Sequence, residues 1–137
     1  MRYLLDTNTC IRYLNGRAPA VRTHLAAVPR VDVAVCAPVK AELYYGAARS
    51  QDPARSRARQ EAFLRVFVSL PFEDHAAQSY GRIRADLATR GTPIGANDLL
   101  IAAIALAAGL ILVTHNTGEF GRIAGLVLED WELGVFA

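Results

Sequence analysis

The sequence predicts an α/β fold: an α/β/α sandwich in which a mainly parallel central sheet of about five strands carries helices on both faces. Five short apolar runs of β type alternate with segments of helical spacing. Strands separated by helices cannot close as hairpins, so they need crossover connections and run parallel. A composition that is 53% hydrophobic and 20% charged supplies the apolar surface for a buried core.

Tyr3 to Leu5 is the first strand, leading into a helix over 8–15 that an Asx or Thr residue caps. A second helix spans 19–28, with Pro19 in its first turn. Val31 to Val35 is the second strand, and Pro38 opens a helix that runs to Arg49. Asp52 N-caps the next helix, which has Pro53 at its first position and reaches Val68. Leu70 to Phe72 is a brief third strand, followed by a helix from Asp74 to Arg90 that Gly91 ends. Ala96 to Ala108 is helical and closes at Gly109. Every residue from Leu99 to Ala108 is apolar, so burial around the whole circumference is expected. Leu110 to Val113 reads as a central parallel strand, and Leu126 to Leu128 as the last one.

The 137 residues suit a single domain, 1–137, without repeats or linkers. A net charge of +2 is too small to drive avid nucleic-acid binding by itself. Fourteen of the 15 basic residues are arginine, Lys40 being the exception. Cys10 and Cys36 stand among apolar neighbours, outside any metal-ligand spacing, as reduced core residues do. The N-terminus enters a strand at once and meets Asp6, unlike a signal peptide, and the greasiest stretch is too short to cross a bilayer. A cytoplasmic protein that does not engage membranes is expected.

The informative residues are acids standing where a core is expected. Asp6 ends the first strand, and ligands of open α/β sheets bind beyond the carboxyl ends of strands. It is also placed to N-cap the following helix. Glu42 falls on the helical stripe formed by Val39, Leu43, Gly46 and Ala47, with Lys40 on another side. An ionised carboxylate on a packed face costs several kcal/mol unless it is compensated, and the alternative is a rim position reaching water. Asp98 belongs to the first turn of the apolar helix, where capping is the competing reading. The fourth strand delivers Thr114 and Asn116 to the same sheet edge as Asp6, with Glu119 close behind. His115 reads as a solvated loop residue.

Carboxylates crowded into one crevice repel, and a divalent cation makes such a site tolerable. Oxygen donors without histidine or cysteine select a hard ion, Mg²⁺ or Mn²⁺. Such an ion acidifies a bound water and neutralises charge on phosphate oxygens, which suits phosphodiester hydrolysis. The products would carry 5′-phosphate and 3′-hydroxyl ends. Residues 49–65 hold Arg49, Arg55, Arg57, Arg59 and Arg65 against Asp52 and Glu61; this is a solvated face from which one or two could steer an RNA backbone. Tyr44 and Tyr45, beside Glu42, either fill core or stack on a base.

Four stretches together resemble a known family: Leu5-Asp6-Thr7-Asn8, Val39 to Gly46, Ile94 to Asp98, and Thr114 to Phe120, with Leu128-Glu129-Asp130-Trp131 closing the pattern. The chain resembles a PIN-domain ribonuclease of the VapC type, the toxin of a toxin–antitoxin pair, over essentially its whole length. The resemblance implies a PIN-like sandwich and a Mg²⁺-dependent endoribonuclease. It also implies a homodimer, silenced by an antitoxin of the VapB type whose C-terminal segment occupies the active-site groove. Asp6, Glu42 and Asp98 match the family's metal-binding acids, and Asn8 and Thr114 its supporting positions. Many relatives carry aspartate where this chain has Asn116, so Asn116 or Glu119 takes the fourth place. The likeness extends to toxins that cut a tRNA anticodon loop. An apolar stripe on an early helix is expected as the dimer face.

Three rivals stand beside this reading. A phosphatase using Asp6 as nucleophile needs an acid at position 8, where Asn8 stands. A receiver-like signalling domain needs a lysine after a late strand, where His115 follows Thr114. A non-catalytic binding protein is the third.

Overall fold

A computed structural model describes residues 1–133; the last four residues of the expected unit lie outside the described part. The order is β1 (Tyr3–Leu5), α1 (Thr7–Leu14), α2 (Pro19–Ala27), β2 (Val33–Cys36), α3 (Ala37–Ala48), α4 (Pro53–Leu64), β3 (Val68–Leu70), α5 (Asp74–Thr89), α6 (Ala96–Ala108), β4 (Ile111–Val113), α7 (Thr117–Phe120) and β5 (Leu128–Glu129). The sheet is entirely parallel in the order β3-β2-β1-β4-β5. Tyr3 lies opposite Val33 on one side and Ile111 on the other, and Leu5 opposite Val113. The α/β sandwich read from the sequence is the observed architecture.

Covered faces explain the composition of the strands. Leu4, Leu5, Val33 to Cys36, Leu112 and Val113 are wholly buried, as strands sandwiched between helices must be. The chain steps outward from β1 through β2 to β3, then returns to build β4 and β5 on the opposite side. The strand order therefore reverses between β1 and β4, and ligand crevices of such sheets open at that reversal. Asp6 and Thr114 follow those two strands, and the Asp6 amide donates to the Val113 carbonyl at 3.1 Å.

Element boundaries depart from expectation where backbone chemistry intervenes. The third strand is Val68–Leu70 and not 70–72, because Pro71 has no N–H to continue a ladder. The helix before it accordingly stops at Leu64, freeing the β-branched Val66 and Val68. The second strand starts at Val33 because Pro29 leads into a single 3₁₀ turn over Arg30–Asp32. The fifth begins at Leu128, after Gly125 turns the chain with φ +82°. In α6, Leu99 and Ile101 to Ala105 are buried, but Ala108 in the last turn is exposed, so full encirclement holds only for the middle of the helix, Ile101 to Ala105. Gly109 ends it at φ +67°, in the left-handed region. Both cysteines are free and buried. No helix among the described residues is long and apolar enough to cross a membrane.

Candidate active site

The site is built on the carboxyl edge of the sheet, from the residues just beyond β1, β2 and β4. Asp6 N-caps α1: its carboxylate accepts the Thr9 amide at 2.8 Å, so the capping reading is correct. The same geometry fixes the carboxyl group at the strand reversal, and the two roles coexist. Asp6 is only 3% exposed. Burial pushes its pKa up, while hydrogen bonds from Thr114 and Thr9 draw it partly back.

Glu42 reaches the same edge from α3. Val39, Leu43 and Ala47 on its stripe are buried, whereas Gly46 is exposed and Glu42 half-buried, which places it at the rim of the packed face. Its compensation is the Thr7 hydroxyl, which donates to Oε1 at 2.6 Å and ties α3 to the start of α1. Asp98 lies in the first turn of α6, which Gly95 N-caps without a side-chain bond. Burial, followed by the carboxylates of Glu42, Asp6 and Glu119, pushes the Asp98 pKa up to about 6. Acids from three other segments thus act electrostatically on Asp98.

Thr114 is fully buried and accepts the Asn116 amide at 3.0 Å. Asn116 in turn donates from Nδ2 to Glu119 Oε2 at 2.9 Å, so the two candidates for the fourth position form one linked unit. The segment holding them, an irregular loop in the sequence reading, winds into the single turn of α7. Asn8 is exposed and shares a cavity of about 370 Å³ with Thr7, Ile11, Glu42, Tyr45 and Asn97. On the other side of Glu42 a second cleft of about 260 Å³ is lined by Ile11, Leu14, Leu43, Ala47, Arg59 and Gln60.

The expectation that the acids gather about one point is met only in part. Among the described residues no three His, Cys, Asp or Glu side chains stand together as a ready ligand set. Asp6 and Glu42 are turned toward protein donors, Thr9 and Thr7. The donors are nevertheless all oxygen, and after burial the charges of Glu42, Asp6 and Glu119 raise the Asp98 pKa, so the residues suit a hard divalent ion. Sequence reasoning missed Thr7, Thr9 and Asn97. The Asp6-x-x-Thr9 cap spacing was available to identify Thr9; Thr7 depends on how α1 packs against α3, which no local pattern reveals.

A PIN-domain model matches residues 3–126 of the chain. The tRNA(fMet)-specific endonuclease VapC of Shigella flexneri is 39% identical over 131 residues, which is 96% of this chain and 98% of that protein. The chain belongs to the PIN-domain family, in its VapC branch. Solved relatives share the fold of this PIN domain closely. DNA-bound VapBC from Salmonella typhimurium superposes with a TM-score of 0.91 at 37% identity, covering 96% of this chain and 98% of that one. VapBC2 from Rickettsia felis, bound to a DNA fragment from its promoter, gives 0.90 at 34% identity, covering 96% and 99%. PIN-domain nucleases are metal-dependent in general, in keeping with the charge of the site. The phosphatase and receiver readings fall away with the family.

Other expectations about the PIN domain resolve directly. His115 is exposed and bonds Asp130 at 2.8 Å through Nδ1. Arg57 pairs with Glu61 on a solvated face, as read from the charge pattern. On the early helix α1, Ile11 is exposed and Leu14 partly so, and Val66, Val68 and Phe72 are exposed in and beside the edge strand β3.

Proposed function

We propose that this chain is a metal-dependent endoribonuclease, the toxin of a toxin–antitoxin pair, which hydrolyses RNA phosphodiester bonds. The observation that carries the reading is Asp98, half-buried and acted on by the charges of Glu42, Asp6 and Glu119, at the carboxyl edge of a VapC-branch PIN domain. Asp6, Glu42 and Asp98 would hold Mg²⁺, with Mn²⁺ as a substitute. When bound, the ion lowers the pKa of water and neutralises charge growing on phosphate oxygens.

The chain's own residues prepare the site. The Thr9 amide fixes one oxygen of Asp6, and Thr7 fixes Oε1 of Glu42, so both carboxylates are oriented before substrate arrives. Asn116 holds Glu119 where the pair can accept a proton or position a water. Thr114 supports this loop through the Asn116 amide. Asn8, exposed at the mouth, is free to contact the RNA.

The names of the relatives point to tRNA, and an anticodon loop presents the unpaired strand that an open crevice can admit. The VapBC complexes among the solved relatives support a VapB-type antitoxin partner, and the cleft beside Glu42 lined by Ile11, Leu14 and Leu43 gives an antitoxin segment a place to dock. A homodimer in the cytoplasm completes the reading. The test is cleavage of RNA in Mg²⁺ against EDTA, with mapping of the ends produced. Cleavage leaving 5′-phosphate and 3′-hydroxyl ends is expected, abolished by chelator and by Asp98→Asn; activity surviving either one overturns the proposal.

A further inference from the structure

Two adjacent tyrosines on α3 have opposite surroundings. Tyr44 is half-buried against the core, and the Arg57 guanidinium covers its ring at 3.7 Å from the centroid. Tyr45 is 63% exposed, a large aromatic surface facing water one residue away. The ring therefore offers an open face to whatever enters beside it.

The neighbours of Tyr45 indicate what that is. It lines the same cavity as Glu42, Thr7, Asn8 and Asn97, so the ring adjoins one of the acids, Glu42. Asn8 and Asn97 bring amides that both donate and accept, the chemistry that reads the edge of a nucleobase. Arg49, one turn on, sits 5.4 Å from the Tyr45 centroid and donates from Nη1 to its hydroxyl at 3.1 Å. That bond braces the ring and sets a positive charge beside it, suited to a phosphate of the same nucleotide. An aromatic face and two amides around one cavity, with a guanidinium on the aromatic ring, suit an unpaired nucleotide, and unpaired bases of RNA loops are gripped by such stacking.

We infer that Tyr45 is a substrate-binding residue on which an unpaired base adjoining the scissile phosphate stacks, with Arg49 bracing the ring and Asn8 and Asn97 facing the base edge. This rests on the ribonuclease reading and specifies how the RNA strand is held in register with the acids. Sequence specificity then resides in the pairing of Tyr45 with the two amides.

The experiment compares wild type with Tyr45→Ala, Tyr45→Leu and Tyr45→Phe on a fluorescent RNA stem-loop in Mg²⁺. A parallel stem-loop carries 2-aminopurine in its loop and is bound in an Asp98→Asn background, so that stacking is read without cleavage. Because Tyr45 is exposed, melting temperatures should stay equal. Loss of one stacked base should raise KM about tenfold in Tyr45→Ala, with kcat within about twofold of wild type. Tyr45→Leu should resemble Ala, Tyr45→Phe should resemble wild type, and the 2-aminopurine quench should vanish with Ala alone among Ala and Phe. A wild-type KM and unchanged quench in Tyr45→Ala, from an active wild-type enzyme, overturn the stacking role alone. So does a Tyr45→Ala enzyme that cuts RNA normally but escapes a protein inhibitor, which would give the face to a protein partner. A wild-type chain inert toward RNA overturns the ribonuclease reading itself, and the stacking role with it.

Discussion

The carboxylates of this protein differ by what faces them. Asp6 and Asp98 are surrounded by burial and by other acids, and both are harder to ionise than usual. Asp130, just beyond β5, faces His115 at 2.8 Å and raises its pKa above the ordinary 6.5, first through the hydrogen bond and then through its charge. His115 holds its proton more tightly folded than unfolded. What the pair contributes to stability is therefore present below about pH 6.5 and is lost as pH climbs through the raised value. The contribution is small, because His115 is exposed and salt screens it. An NMR titration should find His115 titrating above the exposed reference, and Asp130→Asn should bring it back down. A His115 unaffected by Asp130→Asn would show the pair to be absent in solution.

At the scale of elements, α1 is where structure and chemistry share one side chain. Asp6 caps the helix and lines the site, and two substitutions separate the roles. Asn at position 6 keeps an oxygen for the Thr9 amide and removes a buried charge. Asp6→Asn should therefore lose RNA cleavage while matching or exceeding wild-type stability. Asp6→Ala should lose cleavage and also fall about 1 kcal/mol below Asp6→Asn in urea denaturation without divalent metal. Equal stabilities would show that the cap contributes nothing. The same element shows how far the sequence is legible. The strand before α1 and the acid after it are visible as an apolar run broken by Asp, and α6 as an unbroken apolar stretch with Asp98 at its head. Periodicity and burial cost carry those inferences. The start of β2 and the end of β3 were misplaced because Pro29 and Pro71 act through backbone geometry and missing donors, which hydrophobic pattern does not register. Thr7 escaped notice because its meaning lies in a partner 35 positions away.

For the molecule as a whole, the segment after β5 fastens distant parts together. Trp131 is 2% exposed, stacks on His24 at 5.2 Å and meets the Tyr3 ring edge-on at 5.0 Å, while its Nε1 donates to Glu129 Oε1 at 2.9 Å. Glu132 beside it pairs with Arg12 of α1 at 2.5 Å. Trp131→Ala should cost about 3–5 kcal/mol in urea denaturation, since it opens a cavity against the first strand. Trp131→Phe should cost less, having lost mainly the indole donor. A loss below about 1 kcal/mol in Trp131→Ala would mean that the segment is not fastened. The placement of β1 at the middle of the sheet has a consequence for synthesis. Tyr3 leaves the ribosome well before both of its neighbours in the sheet, Val33 and Ile111. The central strand must wait, half-paired, for most of the chain to be translated, and Thr114 arrives later still. A polypeptide that stops short of β4 therefore has no assembled site, although it already carries Asp6, Glu42 and Asp98.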